Sequence, residues 1–301
     1  MTLYHRCKLI QSVNKFVPYQ QTVASPIKLN GIGLHTGQPV NLTILPAQED
    51  YGIVFERVDL PNNKIIPAHF NNVVNTNLST VLGNKAGVTV ATVEHLMSAL
   101  WGCGVDNAHI KVNNIEVPAM DGSSLLFVKL IDQVGIQKQH KHRKIIKIID
   151  EIEVVHNDQS IKITPNDGFV VDFTINYNNH VIGEQSLSFN EQTNNFNNEI
   201  SNARTFGFVK DLKTLWANGL ALGASTDNAI AISDNGVVNQ DGLRHPDEFV
   251  RHKILDCIGD LYLAGARLHG YVSALKTGHT LHNKLLKKLF SKVEAYQYVI
   301  A

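Results

Sequence analysis

The clearest helix pattern in this chain is Phe249-Val250-Arg251-His252-Lys253-Ile254-Leu255-Asp256-Cys257-Ile258-Gly259-Asp260. Pro246-Asp247-Glu248 precedes it and is typical of a helix start, with Pro in the first turn and acids near the positive end of the dipole. Apolar residues recur at helical spacing, which predicts a packed helix: Phe249, Val250, Ile254, Leu255, Ile258, Leu261 and Tyr262. A polar line runs down this otherwise apolar helix: His252, Asp256 and Asp260.

The polar line suggests a metal site. His252 and Asp256 are four residues apart, so on a helix they lie on one face, one turn from each other, and can grip one metal ion. Much earlier the chain reads Thr92-Val93-Glu94-His95-Leu96, where His95 would be a third ligand and Glu94 a base. Three protein ligands leave a fourth position open for water, which distinguishes a catalytic zinc from a structural one.

Both motifs also have plainer interpretations. A His-x-x-x-Asp spacing arises by chance in a chain with 14 His, and it fits a surface His beside a helix-facing Asp. The Glu94-His95 pair fits an ordinary helix face. The spacing leaves these alternatives open, while the apolar setting of His252 and Asp256 favours a metal, because coordination satisfies buried polar groups.

Composition limits the class of protein. The 301 residues are enough for one large or two medium domains, and 44% hydrophobic with 18% charged residues is ordinary for a globular protein. Lys+Arg and Asp+Glu both number 27, so net charge makes no case for binding nucleic acid or an anionic membrane. The three cysteines show no paired spacing, which suits a reducing cytoplasm and argues against a Cys-type zinc site. No apolar run reaches the length of a signal peptide or a membrane helix.

The first part of the chain alternates strand and helix patterns after an N-terminal extension, residues 1–20, to which no role is assigned. Domain I would span residues 21–140. Its predicted elements are strands at 40–45 and 52–55, a helix at 90–101 ended by Gly102 and Gly104, a strand at 108–112, and a helix at 125–134 capped by 121–124 and stopped by Gly135. The polar, basic residues 137–144 have no apolar periodicity and predict a linker.

The second part, residues 141–301, would form domain II and echoes the first. The run Ser160-Ile161-Lys162-Ile163-Thr164-Pro165, a turn, and Gly168-Phe169-Val170-Val171 resemble the strands that flank the turn at residues 46–50. Helices are predicted at 247–264 and 281–295, and an exposed loop at 191–198. These patterns predict an α+β fold of two similar domains, each a β-sheet layered with α-helices. Coincidence between two ordinary hairpins is the alternative.

Seven short stretches follow one another from about residue 22 to the C-terminus: Gly31-Ile32-Gly33-Leu34-His35-Thr36-Gly37, Thr92-Val93-Glu94-His95-Leu96, Met120-Asp121-Gly122-Ser123, Ala203-Arg204-Thr205-Phe206-Gly207-Phe208, Asp241-Gly242-Leu243-Arg244, the helix at 249–260, and Gly278-His279. Together they resemble the UDP-3-O-acyl-N-acetylglucosamine deacetylases, the zinc amidases of lipid A synthesis in Gram-negative bacteria. One departure is Ser79, where many members have Cys near the metal; it is not one of the three ligands.

The resemblance implies two α+β domains packed with the active site between them. It also implies roles for seven residues. The metal ligands would be His95, His252 and Asp256, and the catalytic residues would be Glu94 as general base, His279 as general acid, Thr205 at the oxyanion, and Asp260 behind His279.

The resemblance further implies a β-α-β element inserted at about residues 208–232, which shields the acyl chain. Leu34, Phe208 and Leu212, with Leu215 and Leu220, would line this passage, although apolar residues at such spacing are also typical of plain core. Tyr177 falls near the position of an aromatic that stacks on the uracil. The remaining substrate contacts would be Lys253 at the phosphates, His35, Phe206 and Lys276.

The expected reaction is zinc-dependent hydrolysis of the acetamide of UDP-3-O-(3-hydroxyacyl)-N-acetylglucosamine, giving the amine and acetate, the committed step of lipid A biosynthesis. The metal would be one Zn²⁺, with Fe²⁺ as the alternative. The partner would be the acylated UDP-amino sugar, with no nucleic acid and no stable membrane insertion, and the enzyme a cytoplasmic monomer. Two other classes stay open: a zinc amidase acting on another acylated amino sugar, and a catalytically silent binding protein.

Overall fold

The computed structural model describes residues 17–62 and 64–301, so residues 1–16 of the predicted extension lie outside the described residues. The first half contains, in chain order, β1 (Tyr19–Val23), β2 (Ile27–Ile32), β3 (Pro39–Pro46), β4 (Ile53–Arg57), β5 (Ile65–Pro67), a 3-10 turn (Phe70–Asn72), β6 (Val73–Asn75), β7 (Val81–Gly83), β8 (Thr89–Val90), α1 (Glu94–Gly102), β9 (Ala108–Val112), α2 (Leu125–Val134) and β10 (Ile136–His142).

The second half contains β11 (Lys144–Ile148), β12 (Ile152–His156), β13 (Gln159–Thr164), β14 (Phe169–Asn176), β15 (Glu184–Asn190), α3 (Phe196–Glu199), β16 (Phe206–Phe208), a 3-10 turn (Val209–Asp211), α4 (Leu212–Ala217), β17 (Ile230–Ser233), β18 (Gly236–Val237), α5 (Glu248–Tyr262), β19 (Arg267–Leu275), α6 (His279–Phe290), a 3-10 turn (Val293–Ala295) and β20 (Tyr296–Ile300).

The two halves share a five-strand arrangement, which confirms the predicted α+β fold of two similar parts. The first sheet has the order β2-β3-β9-β4-β5, with β9 antiparallel to β3 and parallel to β4. The second sheet has seven strands. Five of them repeat this arrangement in the order β12-β13-β19-β14-β15, with β19 antiparallel to β13 and parallel to β14, while β11 and β20 extend the sheet from the start of β19, where β11 pairs in parallel. Since another strand separates the two strands of each echoed pair, neither pair is a hairpin.

One face of the second sheet packs on helices. Strand β14 alternates between buried and half-buried residues, as expected for a strand whose faces differ in cover. Helix α5 contacts β14, β15 and β19, and α6 contacts β12 and β13. Among residues 17–62 and 64–301, no helix is both long and apolar enough to cross a membrane.

Helices α1 and α5 bring the two halves together. The two helices occupy equivalent places in the repeat: α1 comes after β3 and β4 and before β9, and α5 comes after β13 and β14 and before β19. The helices pack on each other. At their crossing a Cβ on Gly259 would lie 2.0 Å from the carbonyl oxygen of Glu94. Only glycine permits this close approach, which places the start of α1 against the C-terminal part of α5.

Several element boundaries differ from the sequence predictions. Helix α1 begins four residues later than predicted, because Thr92 has a φ of +57° and Ala91 pairs with Glu116 as an isolated bridge. Helix α6 begins two residues earlier, at His279, and ends at Phe290 rather than at residue 295. The predicted loop at 191–198 includes the start of α3, whose Phe196 is buried against Trp101 and Phe189.

The predicted linker at 137–144 is wrong. Residues 136–142 form β10, which pairs antiparallel with β1, and Lys144 opens β11. Most side chains of β10 are exposed, so it has no apolar periodicity for sequence analysis to detect. Arg143 between the strands is buried and binds Asp106 through two nitrogens at 2.8 Å each.

Candidate active site

Three side chains from α1 and α5 converge between the two halves. His95 stands at the second residue of α1, and His252 and Asp256 lie one turn apart on α5. All three are buried, and their ligand atoms lie within 4.8 Å of one another. The Nε2 atoms of His95 and His252 are 3.5 and 3.4 Å from Oδ1 of Asp256. We call this set the open triad.

The open triad fits a metal ion. Oδ1 of Asp256 is buried, yet it accepts no hydrogen bond from any residue in the described parts of the chain. A buried acceptor without a partner is costly unless something binds it. Two ligands of a tetrahedral zinc at about 2.0–2.1 Å are separated by about 3.3 Å, close to the spacings above. Two imidazoles and a carboxylate are also a usual ligand set for a catalytic zinc.

His252 is held in the form that a metal requires. Its Nδ1 lies 3.1 Å from the carbonyl oxygen of Ala203, to which it donates, leaving the Nε2 lone pair directed at Asp256. Burial lowers the pKa of His252 to about 3, so the ring is neutral at ordinary pH. Burial would raise the pKa of Asp256, but the charged Lys253 beside it holds the pKa well below its ordinary value.

Lys253 lies beside the open triad and contacts Asp256. Its Nζ donates to Oδ2 of Asp256 at 2.9 Å and lies 5.4 Å from the ring centre of Phe206. Burial lowers the pKa of Lys253, but the charge of Asp256 and the hydrogen bond to it, together with the nearby Tyr177 and Glu94, raise the pKa above its ordinary value. A positive charge therefore lies beside the candidate metal position.

Glu94 precedes His95 and is also buried. Its Oε2 accepts the backbone N–H of Thr80 at 3.0 Å, and its Oε1 lies 3.9 Å from Nε2 of His279. Burial raises the pKa of Glu94 to about 7, against the opposing charges of His279 and His95. A carboxylate with that pKa is suited to take up and release protons near neutral pH.

His279 belongs to a second set of three, with Asp260 and His282, which we call the closed triad. Oδ2 of Asp260 accepts from Nδ1 of both imidazoles at 2.7 Å each, and its Oδ1 accepts the Thr80 hydroxyl at 2.5 Å. Burial lowers the pKa of His279, but the charges of Asp260 and Glu94 outweigh it and raise the pKa to about 9. His279 is therefore charged at neutral pH, with Nε2 facing Glu94.

Thr205 lies at the junction of several predicted motifs. Its N–H donates to the carbonyl of Gly122 at 2.8 Å, and its carbonyl accepts the N–H of Ile230 at 2.8 Å. The preceding Arg204 is buried and binds Glu248, which is fully buried, at 2.9 Å. These contacts fix the backbone of Thr205 and of Phe206, whose ring lies 6.1 Å from that of His252.

The predicted substrate residues occupy different surroundings. Tyr177 packs against Phe206 and Phe208 with ring centres 5.8 and 6.1 Å apart, so these three form one aromatic cluster beside His252. Leu34 and Leu212 are half-buried rather than core. Lys276 ion-pairs with the exposed Asp158 at 3.0 Å.

Residues 206–233 form a β-α-β unit, because β16 and β17 pair in parallel and α4 lies between them in the chain; we call this unit the inserted element. It attaches to the turn at residues 33–37. Leu222 and Gly223 donate backbone N–H groups to the carbonyls of His35 and Leu34, both at 3.0 Å, and Nδ1 of His35 accepts from the N–H of Ala221 at 3.4 Å. Burial lowers the pKa of His35, which favours the neutral ring.

Sequence analysis missed three residues of this region: Thr80, Glu116 and His282. The spacing of His282, three residues after His279, was a usable signal once α6 was known to begin at His279. Thr80 and Glu116 had none, because their contacts join segments distant in sequence.

Comparison with known proteins agrees with this geometry. The chain matches the family described as UDP-3-O-acyl N-acetylglycosamine deacetylase over residues 20–291. A UDP-3-O-acyl-N-acetylglucosamine deacetylase of Geobacter sp. (strain M21) is 44% identical over 281 residues, 93% of this chain and 92% of the relative. The protein of the same name from Idiomarina loihiensis is 45% identical over 282 residues, 93% and 92% of the two chains. That from Syntrophotalea carbinolica is 44% identical over 281 residues, 93% and 91%. This chain therefore belongs to the UDP-3-O-acyl-N-acetylglucosamine deacetylase family.

Proposed function

We propose that this protein hydrolyses the acetamide of UDP-3-O-(3-hydroxyacyl)-N-acetylglucosamine, releasing acetate and leaving the free amine. The observation that carries the proposal is the open triad, with its unpartnered Asp256 oxygen, beside a carboxylate and a charged imidazole. Family membership and the names of the relatives support the substrate. We also propose that residues 21–140 and 141–301 are the two domains and that the active site lies between them.

His95, His252 and Asp256 would hold one zinc ion, with iron as the alternative. When bound, such an ion polarises a carbonyl oxygen and lowers the pKa of water. The two imidazoles and the carboxylate suit zinc and also iron, so metal analysis of the purified protein decides between them.

Glu94 and His279 would share the proton transfers. With a pKa of about 7, Glu94 accepts the proton of the attacking water. His279, charged below a pH of about 9, donates a proton to the departing amine. Asp260 holds the Nδ1–H of His279, which leaves Nε2 directed into the site. The Thr205 hydroxyl would donate to the developing oxyanion, and its fixed backbone would place the donor before the charge forms.

The remaining residues would bind the substrate. Lys253 is positioned for an anionic group such as the phosphates, and Tyr177 with Phe206 offers an aromatic surface for the uracil. Leu34, Phe208 and Leu212 would contact the acyl chain. His35, which lies where the turn at 33–37 meets the inserted element, and Lys276 would also contact the substrate.

We infer a cytoplasmic monomer that acts without nucleic acid or stable membrane insertion, in agreement with its zero net charge. A zinc amidase for another acylated amino sugar is the competing function. The half-buried Leu34 and Leu212 beside an inserted β-α-β element favour an acylated substrate, since apolar side chains near the surface can be covered by a ligand chain.

The test compares acetate release from the acylated substrate and from UDP-N-acetylglucosamine. Each buried methylene contributes about 0.8 kcal/mol, and part of that energy can position the acetamide, so we expect a difference of orders of magnitude. Leu212→Asp should reduce this difference by impairing only the acylated substrate. Thr214→Asp, at an exposed position of the same helix, is the matched control. Equal efficiency on both compounds in the unaltered enzyme would favour the competing function.

A further inference from the structure

Glu116 is a fully buried carboxylate outside the open and closed triads. Within the described chain it forms no salt bridge with Lys, Arg or His. Instead it accepts four neutral donors: the N–H of His35 at 2.9 Å, the N–H and hydroxyl of Thr36 at 2.9 and 2.8 Å, and the hydroxyl of Thr92 at 3.0 Å. Burying a carboxyl group is costly unless its oxygens have partners, and the four converging donors supply them.

The four donors come from two segments with different tasks. His35 and Thr36 belong to the turn at residues 33–37, which holds residues 221–223 of the inserted element. Thr92 has a φ of +57° and stands two residues before Glu94, at the entry to α1. The Glu116 carboxylate thus contacts both the turn that binds the inserted element and the segment that leads into Glu94, the candidate base.

The backbone around Glu116 reinforces the same connection. Glu116 pairs with Ala91 as a parallel bridge, and Pro118 pairs with Gly33 as an antiparallel bridge. A Cβ on Gly33 would lie 2.3 Å from Oε2 of Glu116 and 2.3 Å from the Thr36 hydroxyl. The glycine therefore leaves the space that the carboxylate fills.

We propose that Glu116 is a positioning residue. It fixes the turn at 33–37, and with the turn the inserted element, relative to the start of α1. This inference rests on the proposed function. It implies that binding energy from the acyl chain places the acetamide accurately over Glu94 only while Glu116 holds the two segments together, because a displacement of about 1 Å can reduce a rate about a hundredfold.

The first readout is independent of activity. In Glu116→Gln the amide group cannot accept all four donors, so exchange of the amide hydrogens of His35 and Thr36 should become faster. If the turn holds the inserted element, residues 221–223 should lose protection as well. Loss confined to residues 35–36 would overturn the proposal.

The second readout is the ratio of kcat/KM for the acylated substrate to that for UDP-N-acetylglucosamine. We expect this ratio to fall about tenfold to a hundredfold in Glu116→Gln, and less in Thr92→Val, which cuts only the contact to α1. Thr89→Val, a substitution of the same kind in β8 outside the hydrogen bonds of the carboxylate, should leave the ratio unchanged. Metal content should remain that of the unaltered enzyme in all three variants.

The outcomes separate the inference from the proposed function. If the unaltered enzyme releases no acetate from the acylated substrate, the proposed function fails, and hydrogen exchange alone decides the role of Glu116. An unchanged ratio in folded Glu116→Gln and Thr92→Val would overturn the positioning role while leaving the proposed function intact. If Glu116→Gln does not fold, the ratio of the two kcat/KM values in Thr92→Val tests the proposal instead: a lower ratio supports the positioning role, and an unchanged ratio overturns it.

Discussion

The open and closed triads contain the same residue types, and their aspartates lie one turn apart on α5, yet their side chains are spaced differently. Each has two imidazoles and one aspartate. In the closed triad Asp260 accepts two imidazole N–H groups at 2.7 Å and the Thr80 hydroxyl, so all its partners are protein donors. In the open triad Oδ1 of Asp256 faces two Nε2 atoms at 3.4 and 3.5 Å and, within the described chain, accepts no hydrogen bond.

Both sets are compact enough to hold an ion, so spacing rather than residue type is the feature on which the proposed function separates a metal site from a proton site. A separation of 2.7 Å is a hydrogen bond between nitrogen and oxygen, which requires a proton between them. A separation of about 3.4 Å is too long for a strong hydrogen bond, but it suits two ligands of one cation. We therefore propose cation binding by the open triad and proton handling by the closed triad.

The largest predicted effect is removal of the metal. Dialysis against a chelator, or the His252→Ala substitution, should reduce turnover by at least about three orders of magnitude, since several kcal/mol of electrostatic stabilisation disappear. The fold should persist, because α5 keeps its apolar face. Activity should return when zinc is added to the dialysed protein but not to the variant, and circular dichroism provides the control for folding. Full turnover by the metal-free protein would contradict the assignment.

The next effect concerns the residue between the triads. Glu94→Gln should keep the metal but lose about two to four orders of magnitude in rate, the usual range for a positioned proton-transfer group. Single-turnover kinetics with acetate detection would measure this loss, and elemental analysis would establish that the metal is retained. A variant with its metal and nearly unaltered rate would exclude Glu94 as the base.

The pH profile distinguishes the two proton carriers. Glu94 must be ionised to accept a proton, so the rate should fall as the pH drops below about 7; His279 must be charged to donate, so it should fall above about 9. A bound cation lowers both pKa values, so the limbs should lie at or below these positions. His279→Gln should lose the alkaline limb of kcat/KM. If both limbs survive in that variant, His279 is not the acid.

The smallest effect should come from His282. His282→Asn keeps a donor near the position of Nδ1 and should leave the rate almost unchanged. His282→Leu removes one hydrogen bond to Asp260, which is worth about 0.5–1.5 kcal/mol, or at most about tenfold in rate. Steady-state kinetics on the pair would show whether the second imidazole merely orients Asp260. A loss of metal in His282→Leu would show that the closed triad also supports metal binding, and would contradict the separate roles proposed for the two triads.

Sequence analysis predicted those features that depend on residues close together in the sequence. The i, i+4 spacing of His252 and Asp256 on an apolar helix and the Glu94-His95 pair suggested a metal site, and helix α2 has the predicted bounds. The repeat was visible only as two similar strand pairs, because the strand that separates each pair is distant in sequence.

Other parts could not be predicted, for physical reasons. Strand β10 is mostly exposed and so carries no periodic signal. The contacts of Thr80 with Glu94 and Asp260, and of Glu116 with Thr92 and the turn, depend on packing between separate segments. The difference between the two triads is a matter of tenths of an ångström, which residue identity does not encode.

The central claim is that two aspartates one turn apart on α5 have different ligands. The most direct test is the metal content of purified Asp256→Asn and Asp260→Asn, a matched pair that removes one charge from each triad with almost no change in size. The account predicts that Asp256→Asn loses its tightly bound metal, while Asp260→Asn retains about one ion per chain because its triad binds protons. Stoichiometric metal in Asp256→Asn, or its loss only in Asp260→Asn, would contradict the account.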